Sequence, residues 1–142
     1  MYLLDTNVIS ELRKAKSSQV NQNVITWAKD ISPSSMFLSV ITILELETGI
    51  LLIERRDPRQ GAVLLRSWLN THVFPTFCER ILPVDVAVAQ HCAKLHVPNP
   101  SSDRDAIIAA TALVHGMIVV TRNLCDFERT GVTLLNPWVH AT

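Results

Sequence analysis

Four carboxylates occupy equivalent positions along the sequence. All four lie at or near the predicted start of a helix, and three of them lie just beyond a predicted strand. In a parallel α/β sheet such positions converge on the edge formed by the carboxyl ends of the strands. Carboxylates gathered there repel one another, so that one must be protonated or a cation must bind. The residues are Asp5, Glu45, Asp105 and Asp126.

A hard divalent cation would neutralise this cluster, because Mg²⁺ and Mn²⁺ prefer oxygen ligands. No Lys or Arg recurs beside all four acids to do so instead. A cation in such a site suits hydrolysis of a phosphodiester, since it lowers the pKa of water and stabilises charge on the scissile phosphate. We therefore predict that the four carboxylates are metal ligands of a hydrolytic site.

Each acid also has a simpler interpretation as a helix or turn cap. Asp, Ser and Thr are common at helix amino termini, and an acid three residues after Ser or Thr resembles a capping box. Taken singly, capping is favoured for each acid, but four independent caps would then have to share one edge. The patterns are Asp5 or Thr6 before the first helix, Thr42-x-x-Glu45, Ser102-x-x-Asp105, and Asn123 or Asp126 in a turn.

Short apolar strands alternate with amphipathic helices along the chain, which predicts βαβ units and a parallel sheet. The expected fold is a three-layer α/β/α sandwich with about five strands, the first of them central. We find no internal repeat or linker and expect a single domain over residues 1–142. Strands are predicted at 2–4, 36–38, 80–84, 117–120 and 132–135, and helices at 7–13, 21–31, 39–56, 59–74, 85–96 and 103–116.

Composition is that of an ordered globular protein, with 48% hydrophobic and 18% charged residues. The formal net charge is zero, so any contact with nucleic acid must come from local patches. Three widely spaced cysteines suggest no disulfide framework and favour a reducing cytoplasm. We see no signal peptide, and the apolar segment 106–120 is too short to span a bilayer. We therefore expect a soluble, cytoplasmic protein.

Four motifs in a fixed order give the sequence a specific resemblance. They are Leu4-Asp5-Thr6-Asn7, Glu45-Leu46-x-x-Gly49-Ile50, Asp105-x-x-Ile108-Ala109-Ala110-Thr111-Ala112 and Val120-Thr121-Arg122-Asn123-x-x-Asp126-Phe127. Together they resemble the PIN-domain ribonucleases, specifically VapC-type toxins of bacterial type II toxin–antitoxin systems in the FitB-like branch. The resemblance covers nearly the whole chain, although the segment 57–94 carries no motif.

This resemblance implies an endoribonuclease that depends on Mg²⁺ or Mn²⁺. Asp5, Glu45 and Asp105 match the main acidic positions of the family, and Asp126 matches a more variable fourth acid. Thr121 matches a hydroxyl residue near the site. We accordingly predict these five residues as catalytic, with the four acids as metal ligands.

The resemblance also implies partners. We expect a homodimer that is neutralised by a small, DNA-binding antitoxin of the VapB or FitA kind, in a higher toxin–antitoxin assembly. The expected substrate is RNA, either transfer RNA or ribosomal RNA. Basic residues that could contact its phosphates are Arg13, Lys14, Lys16, Arg104 and Arg122, each of which could equally be ordinary solvated surface.

Two other functions remain open at this point. A phosphatase with Asp5 as nucleophile is disfavoured, because Asn7 and Ile9 occupy the later positions of its Asp-x-Asp-x-Thr pattern. A non-catalytic protein-interaction domain could use Trp27, Trp68 and Trp138 as an interface, although core packing explains them equally well. Stabilisation by Mn²⁺ would distinguish a metal site from a pure interaction domain.

Overall fold

The computed structural model describes residues 1–139, which contain one five-stranded sheet. Its order is β3-β2-β1-β4-β5, and every neighbouring pair is parallel. β1 is therefore the central strand, and the predicted α/β/α sandwich with a parallel sheet is confirmed. The strands are β1 (Tyr2–Leu4), β2 (Met36–Ser39), β3 (Ile81–Leu82), β4 (Ile118–Val120) and β5 (Leu134–Leu135).

Seven α-helices connect and cover these strands within the described residues. One predicted helix differs, because the segment 59–74 is observed as α4, a π-helical turn over Leu69–Val73, and α5. Leu69 and Val73 are both buried in the core, so this turn directs two apolar side chains inward. The helices are α1 (Thr6–Leu12), α2 (Gln22–Lys29), α3 (Val40–Arg56), α4 (Gln60–Trp68), α5 (Phe74–Thr76), α6 (Val86–Leu95) and α7 (Asp103–His115). None of the helices described over residues 1–139 has the length and apolar character needed to cross a membrane.

The central strand is buried on both faces because its successive side chains point to opposite sides. Leu4 packs into one core with Val8 of α1 and Leu46 of α3, whereas Leu3 packs into the other with Ile108 of α7 and with Phe127. Leu3 and Leu4 are both fully buried. Burial on both faces is typical of parallel sheets, and it fixes the place where β1 ends and Asp5 begins.

A left-handed residue ends α7 and turns the chain into β4. Gly116 has φ 67° and ψ 37°, and Met117 N donates to Ala112 O at 2.8 Å. This is a common way to terminate a helix, and glycine adopts it without a steric penalty. Gly116 thereby fixes the connection between α7, which carries Asp105, and β4, which leads to Thr121.

We predict opposite effects on stability for two glycine-to-alanine substitutions. A Cβ would meet no atom within 4 Å at either Gly116 or Gly49, so only the backbone conformation separates the two sites. Gly116→Ala should lower the free energy of unfolding by about 1 kcal/mol, because alanine is strained at positive φ. Gly49→Ala, in the interior of α3, should raise it by about 0.5–1 kcal/mol. Urea unfolding of both variants measures the change in the free energy of unfolding. Changes of the same sign would contradict the left-handed conformation of Gly116 and the helical conformation of Gly49.

Candidate active site

Asp5 lies directly after the central strand and divides its two oxygens between two tasks. Oδ1 accepts a hydrogen bond from the Thr6 backbone N–H at 2.8 Å and so caps α1. Oδ2 accepts from the Thr121 hydroxyl at 2.9 Å, and its contact with Asn7 Nδ2 is 3.4 Å. The side chain is buried, with 7% exposure. Capping and a role in the site are therefore compatible, since each uses a different oxygen.

Hydrogen bonds between the ends of β1 and β4 fix the orientation of the Asp5 carboxylate. Asn7 Nδ2 lies 3.4 Å from the Thr121 hydroxyl oxygen, and Asn7 Oδ1 accepts from the Arg122 backbone N–H at 3.3 Å. The Thr121 hydroxyl also accepts from the Asn123 backbone N–H at 3.0 Å. Thr121 is fully buried. These contacts make Thr121 and Asn7 positioning residues for Asp5.

Glu45 reaches the same edge of the sheet from within α3. Its Oε1 accepts from the Thr6 hydroxyl at 2.7 Å, and its Oε2 lies 3.7 Å from Arg104 Nη1. The capping-box interpretation of Thr42-x-x-Glu45 is wrong, because Ser39 caps α3 by accepting from Ile41 N at 3.0 Å. Glu45 is thus one turn into the helix and free of any capping task.

Asp105 and Asp126 approach from α7 and from the turn after β4. Asp105 lies in the first turn of α7, but Ser102 makes no side-chain capping bond, so the second predicted capping box is also absent. Asp126 ends a 3₁₀ turn over Leu124–Asp126 and is exposed, and Asn123 makes no side-chain cap there.

The four acids lie within one another's electric field. Burial raises the pKa of Asp105 to about 6, and repulsion from Asp5, Asp126 and Glu45 adds to the shift. Burial also raises the pKa of Asp5, together with repulsion from Glu45 and Asp126, and it outweighs the hydrogen bonds from Thr121 and Thr6. The structure thus brings all four predicted acids, with Thr121, to one edge of the sheet.

The donor set fits a hard divalent cation. Every group is a carboxylate or hydroxyl oxygen, which such a cation prefers. Burial, followed by repulsion from neighbouring acids, raises the pKa values of Asp5 and Asp105, and a bound cation would oppose both effects. Over residues 1–139, however, no three acidic, histidine or cysteine side chains converge closely enough to form a complete metal site as they stand. Ligation would therefore require side-chain rearrangement, for which the exposed Asp126 has the freedom.

Sequence reasoning missed the part that Thr6 plays in this site. Thr6 was considered only as a helix cap, yet its hydroxyl connects the start of α1 to Glu45, 39 residues away. No pattern in the sequence pairs these two positions. Arg104 was noted as a basic residue that could contact RNA, but its approach to Glu45 was not predicted.

The fold and the acidic edge together define a parallel α/β protein with a cluster of carboxylates at the carboxyl ends of its central strands. Residues 2–132 match the PIN domain, and the chain belongs to the PIN-domain family. The predicted family is confirmed.

Relatives match over almost their full length. The VapC ribonuclease Y4jK of Sinorhizobium fredii is 34% identical over 97% of this chain and 98% of its own. Toxin FitB of Neisseria gonorrhoeae is 35% identical over 97% of this chain and 99% of its own. Among solved structures, FitAB bound to the IR36 DNA fragment superposes with a TM-score of 0.89 at 33% identity, covering 100% of this chain and 99% of that one. FitAcB from Neisseria gonorrhoeae superposes with a TM-score of 0.85 at 34% sequence identity, covering 97% of this chain and 99% of that one.

These comparisons bear out the predicted interpretation as a VapC-type ribonuclease toxin. Two of the relatives carry the words ribonuclease and toxin in their names, and the two structures are complexes of the FitAB type. They give no support to the phosphatase or to the non-catalytic interaction domain.

We predict that the metal-free protein loses stability as the pH rises from about 4 to about 6. The unfolded chain releases the Asp105 proton near 3.8, whereas the folded protein retains it until about 6. Between these values the folded state binds more protons, so its free energy of unfolding falls as the pH rises. Asp105→Asn should remove this part of the fall and exceed wild type at pH 7 by on the order of 1 kcal/mol, since partial exposure screens the charge.

Urea unfolding in chelator at pH 4, 5, 6 and 7 measures this dependence. Asp103→Asn is the matched control, because it removes the same charge from the same turn of α7 at a side chain that is 91% exposed. Its slope between pH 4 and 6 should change less than that of Asp105→Asn, since the ion-pairing contact of Asp103 within residues 1–139 is the 3.5 Å approach to His96 Nε2. If the free energy of unfolding varied equally with pH in all three proteins, the folded state would not raise the pKa of Asp105.

Proposed function

We propose that this chain is a divalent-metal-dependent endoribonuclease and the toxin of a toxin–antitoxin pair. The observation that carries the proposal is the convergence of four carboxylates at the carboxyl end of the central strands, where burial and repulsion from neighbouring acids raise the pKa values of Asp5 and Asp105. Relatives that are named as a ribonuclease and as a toxin match nearly the whole chain and support the same activity.

Asp5, Glu45, Asp105 and Asp126 would hold Mg²⁺ or Mn²⁺. The cation would lower the pKa of water and stabilise negative charge on the scissile phosphate. Around it, Thr121 and Asn7 hold the Asp5 carboxylate, and Thr6 holds Glu45 Oε1. One of the carboxylates accepts the proton of the attacking water. The water oxygen forms a bond to phosphorus while the bond to the 3′-oxygen breaks, and that oxygen takes a proton from solvent, which leaves a 3′-hydroxyl and a 5′-phosphate.

Partners and location follow from the same relationship. We propose neutralisation by an antitoxin of the VapB or FitA kind, supported by the solved FitAB and FitAcB complexes. DNA binding would belong to the antitoxin, which agrees with the zero net charge of this chain. A homodimer, a single domain over residues 1–142, a cytoplasmic location, and transfer or ribosomal RNA as substrate complete the proposal.

We predict that Asp5→Asn abolishes metal-dependent cleavage of RNA while it preserves the fold. Rate should fall more than about 100-fold, since loss of a residue that merely orients a metal ligand already costs 10- to 100-fold. The fold should survive because Asn caps helices as well as Asp. Initial rates of cleavage of total transfer RNA with Mn²⁺, and circular dichroism of both proteins, measure the two effects.

Asp85→Asn is the matched control, because Asp85 caps α6 through a 2.9 Å bond from Val88 N and lies outside the acidic cluster. It should cleave at the wild-type rate. Expression of wild type and Asp5→Asn in cells, with mapping of new RNA 5′ ends, then identifies the substrate. Absence of growth arrest and of any mapped cut by the wild type would reject the ribonuclease proposal.

We also predict that Mn²⁺ stabilises the wild-type protein against unfolding. A cation that binds only the folded state adds about 2.7 kcal/mol at a concentration 100 times its Kd. Asp85→Asn should gain as much as wild type, whereas Asp5→Asn should gain little. Urea unfolding with and without Mn²⁺ tests this, and a Mn²⁺ response equal in all three proteins would place the cation elsewhere.

A further inference from the structure

Arg104 is the cation nearest to the acidic cluster. In residues 1–139 it provides the one Lys or Arg nitrogen within ion-pairing distance of Asp5, Glu45, Asp105 or Asp126, through the 3.7 Å approach of Nη1 to Glu45 Oε2. It precedes Asp105 in the first turn of α7, so its backbone is fixed at the site. Its side chain is 50% exposed and therefore has room to move.

Both oxygens of Glu45 are engaged before any metal binds. Thr6 donates to Oε1 at 2.7 Å, and Arg104 approaches Oε2 at 3.7 Å. A divalent cation would need one of these oxygens. The Thr6 contact is short and comes from a residue whose backbone N–H is bonded to Asp5. The Arg104 contact is long and comes from a half-exposed, flexible side chain, so it is the one that would yield.

Resting on the proposed function, we propose that Arg104 is a positioning residue that exchanges partners during the reaction cycle. In the metal-free protein its guanidinium is the internal counter-ion of Glu45. With a divalent cation held by the acids, Glu45 would no longer need this counter-ion, and the Arg104 guanidinium would bind an RNA phosphate at the site.

The chemistry of the two partners supports this exchange. A guanidinium presents a planar fork of N–H groups that matches carboxylate and phosphate alike, so one side chain serves both states. Because Arg104 shares a turn with Asp105, a phosphate bound by it lies next to the acids.

Three other basic residues that the sequence suggested as RNA contacts are differently engaged. The Arg122 guanidinium lies 5.5 Å from the Trp138 ring centre, Arg13 lies 6.0 Å from that of Trp68, and Lys14 pairs with Glu11 at 3.4 Å. None of these three contacts involves an acid of the cluster.

The first test measures Mn²⁺ affinity by calorimetry without RNA. Arg104→Gln removes the competing charge and should bind Mn²⁺ about two- to five-fold more tightly, the range expected for loss of one exposed ion pair. Arg104→Lys keeps a competing cation and should stay near wild type. Arg122→Gln is the matched control for long-range charge, since it removes a cation at the same edge that pairs with no acid of residues 1–139. Its affinity for Mn²⁺ should change less than that of Arg104→Gln.

The second test measures steady-state cleavage of a single-stranded RNA at several salt concentrations. For Arg104→Gln we expect KM to rise several-fold with little change in kcat. The slope of log kcat/KM against log salt concentration should become shallower by about 0.7, which is the value for one lost phosphate contact on a single strand. Arg104→Lys should recover the salt slope but only part of the KM. Arg59→Gln, at an 87% exposed side chain that pairs with Asp57, should match wild type in both.

Failure of this inference is distinguishable from failure of the proposed function. If wild type binds Mn²⁺ and cleaves RNA but Arg104→Gln changes neither Mn²⁺ affinity nor the salt slope, the partner exchange is wrong and the ribonuclease stands. A change in only one of the two also overturns the exchange, because it requires both. If the wild type neither binds Mn²⁺ nor cleaves RNA, both proposals fail.

Discussion

Repulsion among carboxylates at the end of the central strand is the constraint on which the rest of this site depends. Asp5 is 7% exposed and has Glu45 and Asp126 as electrostatic neighbours, an arrangement that costs free energy whenever the acids are ionised. The fold tolerates it because donors surround the charge. Thr121 and the Thr6 backbone N–H both donate to Asp5, and each lowers its pKa against the larger effect of burial. The remaining charge is what a cation would neutralise.

The fixed position of β1 explains why the repulsion among the carboxylates is centred on Asp5. With Leu3 and Leu4 fully buried on opposite faces, β1 cannot shift without exposing one of them. Asp5 N also donates to Val120 O at 2.9 Å, which continues the pairing of β1 with β4 past the end of the strand. The Asp5 carboxylate is thus held in place by packing on both faces of β1 and by the hydrogen bonds between β1 and β4. Functional sites commonly lower the stability of a fold in this way.

The fold and the four acids could be predicted from the sequence because both depend on local patterns. Alternation of short apolar runs with helical periods identified all five strands, and each acid stood at a recognisable place relative to them. The capping boxes could not be judged in this way, since Ser39 and Thr42 are equally acceptable hydroxyl residues and only the structure shows that α3 begins after the first. The π-helical turn at Leu69–Val73 was likewise hidden within a continuous apolar pattern.

Contacts between distant segments were beyond prediction. The hydrogen bond from Thr6 to Glu45 spans 39 positions, and Arg104 lies 59 positions from the same carboxylate, so no local period relates them. The motifs explain which residues are present but not which oxygen each one engages. That distinction matters for Glu45 in particular, because a carboxylate with both oxygens engaged differs chemically from a free ligand.

The charge balance of the chain bears on how it could approach RNA at all. Its net charge is zero, so the protein as a whole exerts no strong attraction on a polyanion. At the site itself the uncompensated acids would repel an RNA phosphate, and a single Arg104 ion pair offsets only part of that charge. On the proposed function, a divalent cation held by these acids would offset the local repulsion as well as supply its chemistry to water. The Arg104 guanidinium would then be free to bind the same RNA strand. Binding of the cation should consequently precede productive binding of RNA.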